Sequence, residues 1–164
     1  MERSEYRRLP HREKDSCFAC SPNNASGLHM EFFTNGEKVV SWLRVPKHLS
    51  GWDNIVHGGV IATILDEVMG WSALHLLRKM PLTKALTVEY LKPVYVDEDL
   101  TIEGWPVQGH GDREAVIQGF LCDKDGEICS RATGKFALFT LEAMRERGVV
   151  DEKVLLDVQR VIAA

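Results

Sequence analysis

The segment His57-Gly58-Gly59-Val60-Ile61-Ala62-Thr63-Ile64-Leu65-Asp66-Glu67 sets two glycines at the head of an apolar run and two adjacent carboxylates inside it. Glycine lets the backbone be approached closely, and the first N–H groups of a helix have no acceptor within that helix. Aided by the helix dipole, such donors can hold an oxyanion. The corresponding chemistry is acyl transfer, with a carbonyl polarised at Gly58 or Gly59 and a carboxylate activating water. The plainer alternative is a tight turn made by Gly58 and Gly59 and capped by His57. Asp66 weighs against it, because an ionisable group in an apolar helix costs several kcal/mol unless it is paired, hydrogen-bonded or protonated. Asp66 also lies more than two turns from the helix start, where the dipole has faded. Glu67, about 100° further round the helix, is expected to be a solvated or salt-bridged neighbour and is the fallback acid.

The elements that must position these groups follow from patterning. Leu28 to Phe33 is an apolar run, Asn35-Gly36 a hairpin turn, and Lys38 to Val45 a second strand stopped by Pro46. Val60 to Leu77 is apolar nearly all round and ends at Arg78, Lys79 and Pro81, which predicts a helix covered on most sides. Asp66 and Glu67 would be expensive in lipid, so a membrane span is not expected. Strands are predicted at Leu82 to Leu91, Leu100 to Val107, Glu114 to Cys122 and Ile128 to Phe139, with turns at 97–99, 109–112 and 124–126. Val154, Leu155, Val158, Val161 and Ile162 recur at helical spacing and predict a tail helix. The expected fold is α+β, one antiparallel sheet curled around a long buried helix. It divides into a charged arm (1–15), one domain (16–140) and a helical tail (141–164) packed on the domain or on a partner subunit.

A net charge of −4 argues against nucleic acid as a partner. No signal-peptide pattern stands in Met1 to Asp15, and a cytoplasmic location is expected. Cys17 and Cys20 form a C-x-x-C followed by Ser21-Pro22-Asn23-Asn24, which is loop rather than the strand-to-helix setting of a redox pair. A zinc site would need two further ligands, and Cys122 and Cys129 are not spaced as a second knuckle. Reduced thiols and no metal are the expectation.

The H-G-G with an acid nine residues after the histidine resembles the helix motif of hotdog-fold acyl-CoA thioesterases of the phenylacetate-pathway type. Cys17-Phe-Ala-Cys-Ser-Pro-Asn-Asn-Ala-Ser-Gly27-Leu28 is similar to the C-F-x-C-G-x-x-N-x-x-G-L element of one branch, with Ser21 in place of Gly. Leu86-Thr87-Val88-Glu89-Tyr90-Leu91-Lys92-Pro93 resembles the family's strand after the helix. The resemblance implies about six strands wrapping the helix, a homodimer or dimer of dimers, acyl-CoA bound between subunits and no cofactor. It carries the acid onto Asp66, the carbonyl-binding amide onto Gly58 with Gly59 as alternate, and a water-orienting hydroxyl onto Thr83. Some relatives have Asn or Gln six residues before the histidine; that position is Gly51 here, and Asn54 is the candidate substitute.

Met69, Trp71 and Ala73 are candidate linings for a hydrophobic or aryl acyl group, though ordinary core packing accounts for them equally. Asp66 lies about 12 Å along the helix axis from Gly58, so one thioester carbon can meet both only if they come from two subunits. The expected activity is hydrolysis of an acyl-CoA thioester, by general base or through a covalent anhydride. A hotdog dehydratase would need a D-x-N-P-x-H-like loop that the sequence lacks; a non-catalytic acyl-CoA sensor is the alternative from another class.

Overall fold

A computed structural model describes residues 3–12, 16–107 and 111–164, so Gly109 and His110 of the expected 109–112 turn lie outside the described residues, as do 1, 2 and 13–15 of the arm. Ahead of the helix come β1 (Arg7–Arg8), β2 (Phe33–Thr34), β3 (Val39–Leu43), β4 (Ser50–Trp52) and β5 (Ile55–Val56). The helix α1 spans Gly58–Leu76, and β6 (Met80–Tyr90), β7 (Leu100–Pro106), β8 (Glu114–Cys122) and β9 (Ile128–Phe139) follow. Two helices close the chain, α2 (Leu141–Arg147) and α3 (Glu152–Ala163).

Seven strands pair antiparallel in the order β1-β2-β3-β7-β8-β9-β6, while β4 and β5 form a separate pair. The long β8 and β9 alternate buried and outward residues, as a sheet with one covered face requires. That face wraps α1, whose Ile61, Ile64, Leu65, Val68 and Met69 are buried. Gly104 of β7 and Gly119 of β8 are register partners beneath the helix. A Cβ on Gly104 would fall 2.9 Å from Ser72 Oγ, and one on Gly119 3.0 Å from Met69 Cγ. The helix therefore rests against bare backbone there.

One expectation is corrected and two are extended. The run Leu28 to Phe33 buries Leu28, Met30 and Phe32 in alternation, yet only Phe33–Thr34 is strand. Its Leu28 and Met30 N–H groups donate to the carbonyls of Phe18 and Ala19, so the C-x-x-C loop takes the bonds a neighbouring strand would have taken. The expected tail helix over Val154 to Ile162 is α3, and a further helix, α2, precedes it, ended in a left-handed turn by Gly148 at φ 62. The third concerns α1, which is not covered all round: Gly59 is exposed, and Ala62, Thr63, Asp66 and Gly70 are only half-buried. The open face lies beside β6, the sheet's terminal strand. No described helix is long and apolar enough to cross a membrane. On its other side α1 meets α3, where His75 Nδ1 lies 3.2 Å from Val161 O.

Candidate active site

The helix start is built by His57. Its extended backbone (φ −60, ψ 133) halts the helix, and its Nδ1 accepts the Gly59 N–H at 2.9 Å. The His57 carbonyl receives the N–H groups of Val60 and Ile61 at 2.9 and 3.1 Å. Gly58 N–H meets no acceptor among the described residues. Of the two candidate amides, then, Gly59's is committed and Gly58's is available to a ligand. Tyr90 Oη donates to Gly58 O at 2.9 Å, which ties the end of β6 to this turn. Gly51 lies against His57, where a Cβ would come within 3.2 Å of His57 Cα. Asn54 is exposed between β4 and β5, its carbonyl taken by Val96 N–H, and it is not among the residues around the cavity described next.

Two turns along α1, Asp66 is half-buried, and Thr83 Oγ1 from β6 donates to its Oδ1 at 2.9 Å. Burial pushes the Asp66 carboxyl above the ordinary carboxylate range, the Thr83 bond opposes that rise, and the Glu67 charge adds to it. Asp66 and Thr83 line a cavity of about 140 Å³, walled by Gly70, Trp71, Phe136 and Val158. The site is thus a carboxylate in a small part-apolar recess, held by a hydroxyl that leaves its second oxygen for a reactant.

Residues 53–130 match the model of the thioesterase superfamily. The fold is a hotdog fold, and over that stretch the chain resembles the superfamily. A solved thioesterase superfamily protein is 26% identical, with a TM-score of 0.69, covering 80% of this chain and 66% of its own, so this chain spans just under two thirds of that relative. A hypothetical thioesterase of Streptococcus pneumoniae, solved with coenzyme A, is 24% identical over 64% of this chain and 80% of its own, with a TM-score of 0.60. The PaaI protein of the E. coli phenylacetic acid degradation operon is 16% identical over 67% of this chain and 83% of its own, with a TM-score of 0.62. No curated protein matches the sequence.

Within this hotdog domain the remaining candidates separate. Trp71 lines the cavity, stacked on Phe32 at 4.4 Å between ring centroids. Met69 and Ala73 are fully buried in the core and do not line the cavity, because their side of α1 faces the sheet. Glu67 is the salt-bridged neighbour rather than a solvated one: one step of about 100° turns it from Asp66 toward the N-terminal loop and Arg12, although both acids line the same cavity. There Trp71 Nε1 donates to its Oε1 at 3.0 Å, Arg12 Nη2 lies 3.8 Å away, and Cys17 Sγ donates from 3.7 Å. Burial pushes the Glu67 carboxyl up, the Cys17 charge adds to that, and Arg12 pulls it down. Sequence reasoning missed Arg12 and Tyr90. Tyr90 stood within the quoted strand motif, but nothing local marked its bond to a carbonyl 32 residues earlier.

Proposed function

We propose that the protein hydrolyses acyl-CoA thioesters, with Asp66 as general base and Gly58 N–H as the donor to the carbonyl oxygen. The observation that carries this reading is the Asp66–Thr83 pair set into a recess beside the open face of α1. Thr83 holds Oδ1, so Oδ2 takes the proton of an attacking water. As the carbonyl becomes tetrahedral its oxygen gains charge, which the Gly58 amide and the helix dipole stabilise. Collapse expels the coenzyme A thiolate, which at a thiol pKa of ~8.5 needs no strong acid. A relative solved with coenzyme A supports the choice of substrate class.

The site is shared between two copies of the chain. Gly58 and Asp66 are eight residues apart on one helix, about 12 Å along its axis, too far to serve one carbon atom. β6 is an unpaired edge with Leu82 and Tyr90 about half exposed, and it carries Thr83 at one end and Tyr90 at the other. A twofold axis through the middle of β6 sets the Asp66 end of one copy against the Gly58 end of its partner. The reading is tested by following free thiol with a panel of acyl-CoA esters. Hydrophobic or aryl esters should be turned over at a rate that Asp66→Asn abolishes; absence of turnover across the panel would overturn it.

A further inference from the structure

The C-x-x-C and the inward-turned Glu67 form a cluster that the acyl chemistry does not use. Cys17 Sγ, Cys20 Sγ and a Glu67 carboxylate oxygen all lie within 4.8 Å of one another, with Cys20 buried and Cys17 and Glu67 half-buried. We propose that Cys17, Cys20 and Glu67 bind a divalent zinc-like cation, with water as the fourth ligand, and so clip the N-terminal loop to the helix that bears Asp66. This does not depend on the acyl-transfer reading.

Geometry supports the assignment. A tetrahedral ion with Zn–S of ~2.3 Å and Zn–O of ~2.0 Å requires S···S near ~3.8 Å and S···O near ~3.5 Å. Cys17 Sγ stands 3.7 and 3.8 Å from the two Glu67 oxygens. The turn brings the two sulfurs to one side, with Ser21 N–H bonded to Cys17 O at 3.1 Å. Two thiolates and a carboxylate suit a borderline-soft ion better than magnesium or calcium.

Charge gives the same answer. The cluster already collects a cation: Arg12 Nη2 lies 3.2 Å from Cys20 Sγ and 3.8 Å from Glu67 Oε1. With both thiols ionised, a divalent ion and the guanidinium together neutralise the two thiolates and the carboxylate. The sequence showed only two ligands because the third comes from α1, 47 residues beyond Cys20.

The test uses full-length reduced, metal-free protein titrated with Co²⁺. One equivalent should give thiolate-to-cobalt charge-transfer absorption and intense visible bands of tetrahedral coordination, displaced by Zn²⁺. Cys17→Ser and Cys20→Ser should abolish these bands, Glu67→Gln should weaken binding at least tenfold, and Cys122→Ser should change nothing. Should the cysteine variants fail to fold, alkylation of the wild type decides: Zn²⁺ should protect Cys17 and Cys20 but neither Cys122 nor Cys129. Absence of the charge-transfer band in wild type, a band that survives either cysteine change, unaltered affinity in Glu67→Gln, or protection of other thiols would each overturn the proposal.

Discussion

Replacing Asp66 by Asn separates chemistry from stability at the centre of the site. The amide keeps an oxygen that can accept the Thr83 hydroxyl, so the 2.9 Å bond is retained in form while the base is lost. Loss of a positioned general base costs about 10² to 10⁴ in rate, or ~2.7 to 5.4 kcal/mol of barrier. Stability should move the other way. Burial and the Glu67 charge raise the Asp66 carboxyl in the fold, so its ionised form disfavours folding at neutral pH and the neutral amide removes that cost. The assay is kcat/KM with the best acyl-CoA alongside thermal unfolding. The expected result is a near-inactive enzyme with an unchanged or higher midpoint. Thr83→Ala alone removes one bond to a partly exposed carboxylate, worth ~1 kcal/mol or about fivefold. In the Asp66→Asn background the same change should have no further effect, because Thr83 acts through Asp66. Asp66→Asn turnover within about tenfold of wild type would refute the assignment, as would multiplicative losses in the double variant.

Other perturbations probe the rest of the site. His57→Ala removes the cap on Gly59 N–H and should cost about 0.5–2 kcal/mol of stability. If Gly58 supplies the polarising amide as proposed, turnover should survive in the folded fraction; a loss beyond ~100-fold in folded protein would make the imidazole part of the chemistry. Leu82→Lys places a charge on the open β6 edge and should yield monomers in sedimentation, with activity falling in step. A fully active monomer would exclude the shared site. His75 is buried with Nδ1 at Val161 O and Nε2 at Arg7, and burial first, then Arg7 and Arg78, lower its pKa in the fold. Its contribution to stability is therefore complete above the unfolded value of ~6.5 and is lost as pH falls below it. Denaturant midpoints should drop between about pH 7 and 5 more in wild type than in His75→Asn, and equal drops would refute this.

The parts of the fold legible in the sequence were those fixed by local chemistry. Gly36 and Gly126 adopt the left-handed φ of 92 and 81 that their turns demand, and they delimit strands as Asn35-Gly36 and Asp125-Gly126 suggest. The length of α1 was readable from its apolar run between Gly58 and Pro81. What stayed hidden depends on partners distant in sequence. The burial of Leu28, Met30 and Phe32 resembled a strand, but which backbone met it was not readable. Glu67 and Asp66 are adjacent acids of the same apolar helix, and only the loop carrying Cys17 gives them different surroundings. Thr83 emerged through resemblance alone, since an exposed threonine on a strand has no local mark.

The recess beside Asp66 is assembled from unequal sources. Asp66, Trp71 and Thr83 fall within the stretch 53–130 shared with the superfamily, whereas Arg12, Phe136 and Val158 stand outside it. On the proposed reading, the pair assigned to the chemistry lies inside the matched stretch, and part of the wall around it comes from segments outside that stretch. A change at Val158 or in the arm around Arg12 can alter which acyl group fits without displacing a reacting atom. Under the proposed function, changes in these flanking segments would retune acyl preference and leave the Asp66–Thr83 pair in place.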